Sequence, residues 1–530
     1  RRGRGRGGMK DAALLEQDAI RRVDPPQPTA GWIRCARGAP YFETELGAPW
    51  TPVGHNEAIT WPHLAALYRR RDPAAVERHF ADLAAHGVTC LRLMLDYSQG
   101  RGRHLESRCG HFSRAMIQLW DDLIALGERH GIRFLLTPFD TFFMARRWKT
   151  HPYAQQAGGP CRSVRHMFTC PDTRAAIINR LLFATRRWGH SHAVFGWDLW
   201  NEIDSFYARG EMAAVQDFVS EVSEALRAEE ERLYGRSHLQ TVSVYLPVLD
   251  ERPALADVVF RHPSLDFASV HLYEKGTIDN PRRSLAPAEA TARLVAGALA
   301  HCPPGRPLLD TEHGPIHAFN DRHTTLPDEF DTECFRRTQW AHLASGGAGG
   351  GMRWPYRHPH VLLPTMHEAQ AVLARFLPLI DWQHFVRRPL GERLVTHGFA
   401  GLACGCGDTA QAVICLMATS AQCGKASTLE VTGLEPGSYR VTQMNAITGE
   451  RQTSQISTRQ DGTLVLLIGG AWQDTALARA PLRSRDCAPR GGCAPHNRRG
   501  RPTTGRGSRR RRRSRRRSRS PRDPARRRAR

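Results

Sequence analysis

Two acidic motifs, 110 residues apart, carry most of the chemistry in this sequence. The apolar run Val194-Phe195-Gly196-Trp197-Asp198-Leu199-Trp200 ends abruptly on Asn201 and Glu202, and Leu309-Asp310-Thr311 ends similarly on Glu312-His313-Gly314. A buried strand that closes on an amide and a carboxylate presents polar side chains at its carboxyl end, where α/β folds bind ligands. Other runs do the same. Arg92 sits inside Cys90-Leu91-Arg92-Leu93, His271 and Tyr273 close Val270-His271-Leu272-Tyr273, and Trp354 follows Arg353. Cleavage of a glycosidic bond needs this inventory: one carboxyl held protonated, one carboxylate ready to attack, an aromatic face for a sugar and donors for its hydroxyls. A purely structural reading would bury two carboxylates at strand ends with nothing to offset their desolvation.

The elements that must position these residues follow a regular alternation. Strand-length apolar runs appear at Val88–Leu95, Ile132–Pro138, Val194–Trp200, Gln240–Leu246, Phe267–His271, Pro307–Asp310 and Gly349–Trp354, and a hairpin strand near Val53 makes an eighth. Between them, apolar spacings of three and four predict helices over Pro73–His86, Phe112–His130, Thr173–Trp188, Met212–Tyr234, Pro287–His301, Glu329–Ala344 and Met366–Ile380. Strand–helix units repeated in this way argue for an α/β fold, a parallel (β/α)8 TIM barrel. A doubly wound open sheet is the rival, weakened by the lack of any GxGxxG turn after the early strands. In a barrel, strands four and seven face each other across the mouth, so Glu202 and Glu312 would meet there.

Beyond Pro389 the texture changes to short strand-like pieces, Leu394–Ala403, Ala412–Ala418, Thr428–Val431, Ser438–Gln443 and Thr463–Ile468, separated by turns such as Glu435-Pro436-Gly437. This predicts a small all-β sandwich. The expected organisation is an N-terminal extension over residues 1–39, with a short helix at 10–23, a barrel over 40–382, a sandwich over 383–481 and a disordered Arg-rich tail over 482–530.

The net charge of +23 suggests a nucleic-acid partner until it is located. Residues 1–8 hold four Arg and no acid, and residues 483–530 hold 21 Arg against Asp486 and Asp523, so Met9 to Leu482 is formally neutral. A tail of this kind binds polyanions non-specifically if it does anything, and it also has the composition that GC-rich DNA yields when translated past a terminus. No run of 18 apolar residues predicts a membrane span. No signal peptide is visible as written, which leaves a cytoplasmic location as the default and secretion open. The 13 Cys include no CxxC pair and no Cys/His ligand spacing, so free thiols are expected and neither a metal nor an organic cofactor is.

Together, Trp200-Asn201-Glu202, His271-Leu272-Tyr273, Glu312-His313-Gly314 and Trp354, with Arg92 upstream, resemble the motif set of clan A retaining glycoside hydrolases, most nearly family 5, the cellulase and β-mannanase family. The resemblance covers roughly residues 40–380, and the barrel it implies agrees with the periodicity. Gly437-Ser438-Tyr439-Arg440-Val441 and Asn445-Ala446-Ile447-Thr448-Gly449-Glu450 are similar to small β-domains appended to bacterial members.

The resemblance implies Glu202 as general acid/base and Glu312 as nucleophile, with Asn201 on the sugar 2-hydroxyl. Tyr273 would hydrogen-bond Glu312, Arg92 would hold it charged, His271 would border the site and Trp354 would stack on the sugar. The sequence departs from the family after the third strand, where Thr137-Pro138-Phe139-Asp140 lacks the His often found there. Phe142, Phe143 and Trp148 either wall the cleft or pack under a loop, and His55-Asn56 is left outside the site. The implied activity is hydrolysis of a β-linked polysaccharide or oligosaccharide of mannan or glucan type. The alternatives are a carbohydrate-binding barrel without turnover and a polyanion-binding protein acting through its tail.

Overall fold

In the computed structural model, which describes residues 31–97, 103–205, 212–316, 326–355, 360–422, 425–469 and 472–481, the apolar runs lie side by side as one parallel sheet. Its strands are β1 (Gly54–Asn56), β2 (Cys90–Met94), β3 (Arg133–Thr137), β4 (Val194–Asp198), β5 (Leu239–Thr241 and Ser243–Tyr245), β6 (Ala268–Leu272), β7 (Leu308–His313) and β8 (Met352–Arg353). The first half of β5 pairs with β4, Leu239 opposite Gly196, and the second half pairs with β6, Tyr245 opposite His271. Both edges of the sheet therefore belong to one run broken at Val242, and the sheet closes. The (β/α)8 barrel is the fold. The helix predicted over 10–23 and the Arg-rich tail lie outside the described residues.

Six long helices return the chain between strands, α1 (Pro73–Ala85), α2 (Arg114–His130), α3 (Pro171–Trp188), α4 (Met212–Tyr234), α5 (Ala286–His301) and α6 (Asp328–Ala344), and a seventh, α7 (Pro364–Phe376), follows β8. Their ends are written locally. Pro73 opens α1 behind Asp72, whose carboxylate accepts the Ala75 N–H at 3.0 Å, and Gly131 closes α2 at φ +68°. No described helix is long and apolar enough to cross a membrane.

One end of the barrel is plugged. Ile33–Cys35, Phe42–Thr44 and Pro49–Trp50 form a three-stranded antiparallel sheet. Ile33, Phe42 and Trp50 pack with Cys90, Leu135, Phe195, Leu239, Phe267, Leu309 and Met352, mostly from the early part of successive barrel strands. Only the carboxyl ends stay open. The hairpin strand expected at Trp50–Val53 thus belongs to the plug, and the first barrel strand starts at Gly54. There a Cβ would lie 1.7 Å from the Cys90 carbonyl oxygen, so no other residue fits without moving backbone.

The C-terminal strands form two antiparallel sheets. Six strands, Arg388–Pro389, Gly401–Gly407, Ala412–Ala418, Asp474–Pro481, Ser438–Asn445 and Arg451–Ser457, face three, Leu394–His397, Ser427–Val431 and Leu464–Ile468. Ala412–Ala418 is apolar throughout because both its faces are covered. Ala412, Ile414 and Leu416 fill the space between the sheets, while Val413, Cys415 and Met417 pack on Trp340, Ala341 and Phe376 of α6 and α7. Asp474, also buried, accepts from Arg336 at 2.8 Å and Arg337 at 3.0 Å. The single strand expected over Leu394–Ala403 is two strands in different sheets, parted where Gly398 takes φ +70°. The described cysteines are all free thiols.

Candidate active site

At the open end, Arg92 is fully enclosed and its guanidinium organises what lies around it. Nη1 donates to Glu312 Oε2 at 2.9 Å and to Asn56 Oδ1 at 3.1 Å, and Nη2 donates to Asp198 Oδ2 at 2.8 Å and to Asn201 Oδ1 at 2.5 Å. Four strands are joined through one side chain. An unpaired guanidinium there would cost several kcal/mol, whereas this one has two carboxylates and two amides as acceptors. Asn56 holds the arrangement to the seventh and eighth strands by donating to Thr311 O at 2.9 Å and Met352 O at 3.1 Å.

Glu312 stands at the end of β7, buried, with an 11% exposed side chain. Beside the guanidinium it accepts the Tyr273 hydroxyl at 2.7 Å on Oε1. Glu202 follows β4 with φ +52°, an uncommon backbone state for a residue with a Cβ. Its N–H donates to Ser243 Oγ at 3.0 Å, which fixes the turn. The Glu202 side chain is 24% exposed to the mouth, and His271 Nδ1 lies 2.9 Å from its Oε1 and 3.9 Å from Glu312 Oε2. One carboxylate oxygen of Glu202 and one of Glu312 lie within 4.8 Å of each other.

Charge distribution separates the two carboxyls. Burial raises the Glu202 pKa to about 7, opposed by Arg92 and assisted by Asp198. Burial and the neighbouring Glu202 raise Glu312, but the Arg92 guanidinium and the Tyr273 hydroxyl work against that rise. Only Glu312 touches the guanidinium, while Glu202 touches an imidazole that burial keeps neutral, with a pKa lowered to about 4. When the pair holds one proton, that proton belongs on Glu202. Burial and the adjacent Glu312 push the Tyr273 phenol far above its usual range, so it stays a donor.

Asn201 is held from both sides, with Oδ1 on Arg92 and Nδ2 on Thr141 Oγ1 at 2.8 Å. Thr141 in turn donates to the Asn201 carbonyl at 2.9 Å. One of the two amide hydrogens is thereby used and the other is left for a ligand. Trp354, half-buried at the end of β8, packs edge-on against Trp61 at 4.9 Å and near Tyr97 at 6.2 Å. Phe143 meets Tyr97 at 5.4 Å, Phe142 is 36% exposed and Trp148 stacks on His151 at 5.6 Å. Asp140 caps the short helix Thr141–Arg146 through the Met144 N–H at 3.0 Å, so its carboxylate is occupied locally.

Arg92, Asn201, Glu202, His271, Tyr273 and Glu312 thus form one bonded cluster, with Trp354 beside it on the next strand end. Asn56, left outside the site by the sequence as either a cleft border or a turn cap, belongs to it through Arg92. Asp198 and Thr141 were not expected there; Asp198 was visible as an acid within an apolar run, and nothing local marked Thr141. Glu202, His271 and Glu312 are also spaced as metal ligands are.

No family model matches the chain. It is 24% identical over 273 residues to mannan endo-1,4-beta-mannosidase 7 of Arabidopsis thaliana, an alignment covering 46% of this chain and 59% of that protein. It is 28% identical over 229 residues to mannan endo-1,4-beta-mannosidase 4 of Oryza sativa subsp. japonica, covering 38% and 48%. The chain therefore spans about half the length of the curated relatives it matches. Among solved structures, a glycoside hydrolase family 5 protein from Bacteroides vulgatus superposes with a TM-score of 0.56 at 12% identity, covering 87% of this chain and 94% of that one. Another glycoside hydrolase gives 0.54 at 12% identity, covering 87% and 98%. In its fold the chain is similar to these glycoside hydrolase structures, and over part of its length its sequence is similar to the two mannan endo-1,4-beta-mannosidases.

Proposed function

We propose that the chain is a retaining glycoside hydrolase cleaving β-linked mannan- or glucan-type chains, with Glu202 as acid/base and Glu312 as nucleophile. The observation that carries this reading is the pairing of two carboxyls whose nearest oxygens lie within 4.8 Å and whose partners differ in charge. That separation favours direct attack over the wider gap, about 6.5–9.5 Å between carboxyl groups, that leaves room for a water. Mannan is the favoured backbone because both curated relatives are named as mannan endo-1,4-beta-mannosidases.

In the first step a Glu312 oxygen forms a bond to the anomeric carbon as the glycosidic C–O bond breaks. The leaving oxygen takes the Glu202 proton. In the second step a water gives its proton to the Glu202 carboxylate, and its oxygen displaces Glu312, so the product keeps the starting configuration. Asn201 would offer its remaining amide hydrogen to the 2-hydroxyl, and Trp354 an apolar face to the ring. Tyr273 and Arg92 hold Glu312 in place and charged. Glu312→Ala should abolish hydrolysis of an aryl β-mannoside or β-glucoside, with azide restoring turnover as the α-glycosyl azide. Full activity in that variant would sink the assignment.

A further inference from the structure

Two imidazoles and a carboxylate meet a second time at this end of the barrel, outside the cluster around Arg92. Asp96 lies two residues past β2, His104 on the segment that follows, and His151 after β3. One ligand atom from each of the three lies within 4.8 Å of the other two. Asp96 and His151 are each 1% exposed, and the His104 side chain is 18% exposed.

Their hydrogen bonding is incomplete in a particular way. Asp96 Oδ2 accepts from Arg180 at 2.8 Å and more weakly from the Leu105 N–H at 3.4 Å, while Oδ1 has no partner among the described residues. His151 Nδ1 accepts the Tyr153 N–H at 3.2 Å, which leaves Nε2 buried without a partner. His104 Nδ1 is also buried without a hydrogen bond; its nearest carboxylate contact is Asp96 Oδ2 at 4.0 Å. Buried polar atoms in folded proteins are generally satisfied by a protein group, a water or an ion.

Charge and ring placement point the same way. Among the described residues Arg180 is the buried cation touching the group, and it faces two buried carboxylates, Asp96 and Glu106. The cluster is left one negative charge in excess. His151 is held by Trp148, stacked at 5.6 Å, and by Phe139 at 5.8 Å, so its ring is oriented before anything binds.

We propose that Asp96, His104 and His151 form a divalent-cation site of the zinc class that ties the segment after β2 to the segment after β3. Two imidazoles and one carboxylate suit zinc and its neighbours, whereas calcium and magnesium call for oxygen ligands. Ligands about 2.0–2.1 Å from a tetrahedral zinc lie about 3.4 Å apart, so the three side chains draw in around the ion and a water takes the fourth position. The expectation that no metal is bound rested on Cys/His spacing in the sequence, which does not register three residues brought together by two loops. Through Phe139, which packs on Trp200 at 5.6 Å, the site also braces the strand end that carries Asn201 and Glu202. The assignment is independent of the roles given to Glu202 and Glu312.

The test uses the full chain, stripped with a chelator and then titrated with Zn2+ by calorimetry. Metal content is measured after desalting, and Co2+ serves as a spectroscopic probe. The cluster of Glu202, His271 and Glu312 is the internal rival and the cysteines are another. One zinc per chain should bind the unsubstituted protein and equally the Glu312→Gln variant. His104→Ala and His151→Ala, checked as folded by circular dichroism, should each weaken it at least tenfold. Co2+ should give d–d bands without a thiolate charge-transfer band. The site is refuted if no zinc is retained, if zinc persists unchanged in both histidine variants, if it leaves with Glu312→Gln, or if a thiolate band appears.

Discussion

Arg92 Nη1 lies 2.9 Å from Glu312 Oε2, in direct hydrogen-bond contact with the carboxylate proposed to attack the sugar. The same side chain holds Asp198 and Asn201, so one residue sets the charge of the nucleophile and the position of the neighbouring amide. Replacing it separates those functions from simple charge. Arg92→Lys keeps a cation but cannot reach four acceptors with one planar fork. It should lower kcat/KM by about 10–100-fold, the worth of one or two charged hydrogen bonds. The acid limb of the pH–rate profile should also move to higher pH, because a less well-held Glu312 binds its proton more tightly. An unshifted limb would mean that Arg92 does not set the ionisation of Glu312.

Tyr273→Phe removes the hydroxyl that donates to Glu312 at 2.7 Å and leaves the ring stacked on Tyr245 at 5.7 Å. The loss should fall on kcat with little change in stability, again by about 10–100-fold. Thermal melting alongside steady-state kinetics distinguishes this from a packing defect.

Glu202, with a pKa raised to about 7, links activity and stability to the same proton. Activity that needs its protonated form should fall as pH rises through about 7. Stability should move the same way. The folded state keeps the proton up to about pH 7, whereas the unfolded chain releases it near the ordinary carboxyl value, so this contribution is complete at low pH and is lost between the two values. In Glu202→Gln the alkaline limb should disappear, and the melting temperature should vary less between pH 5 and pH 8. A profile with the same dependence in the variant would assign the proton to another group.

Asp474 joins the β-sandwich to α6 through Arg336 and Arg337. Asp474→Ala removes the buried carboxylate that two largely buried guanidinium groups share, although Arg337 keeps Glu333, and should cost about 3 kcal/mol. Denaturant unfolding followed by both fluorescence and circular dichroism should still give a single transition, at a lower midpoint, because α6, α7 and Ala412–Ala418 share one apolar interface. Two separated transitions would show that barrel and sandwich unfold independently.

What could be read from the sequence was what is local in it. The helix that ends at Tyr234 stops where its periodicity predicts, and the polar strand ends sit at one mouth because a parallel barrel puts all carboxyl ends on the same side. The support beneath the glutamates is not local. Asp198 and Asn56 matter through Arg92, on a strand between theirs, and only barrel closure makes them neighbours. Arg451–Ser457 was missed because an exposed edge strand needs no apolar alternation. The break in β5 at Val242 was missed because no Gly or Pro marks it.

The most direct test of the central claim is trapping of the covalent intermediate. The chain would be incubated with a 2-deoxy-2-fluoro-β-glycoside carrying a good leaving group, in the manno and gluco forms, and its peptides mapped by mass spectrometry. A single fluorosugar adduct on the peptide carrying Glu312, absent from Glu312→Ala, is the predicted result. An adduct on a different residue, or turnover with inversion at the anomeric carbon and no adduct, would contradict it.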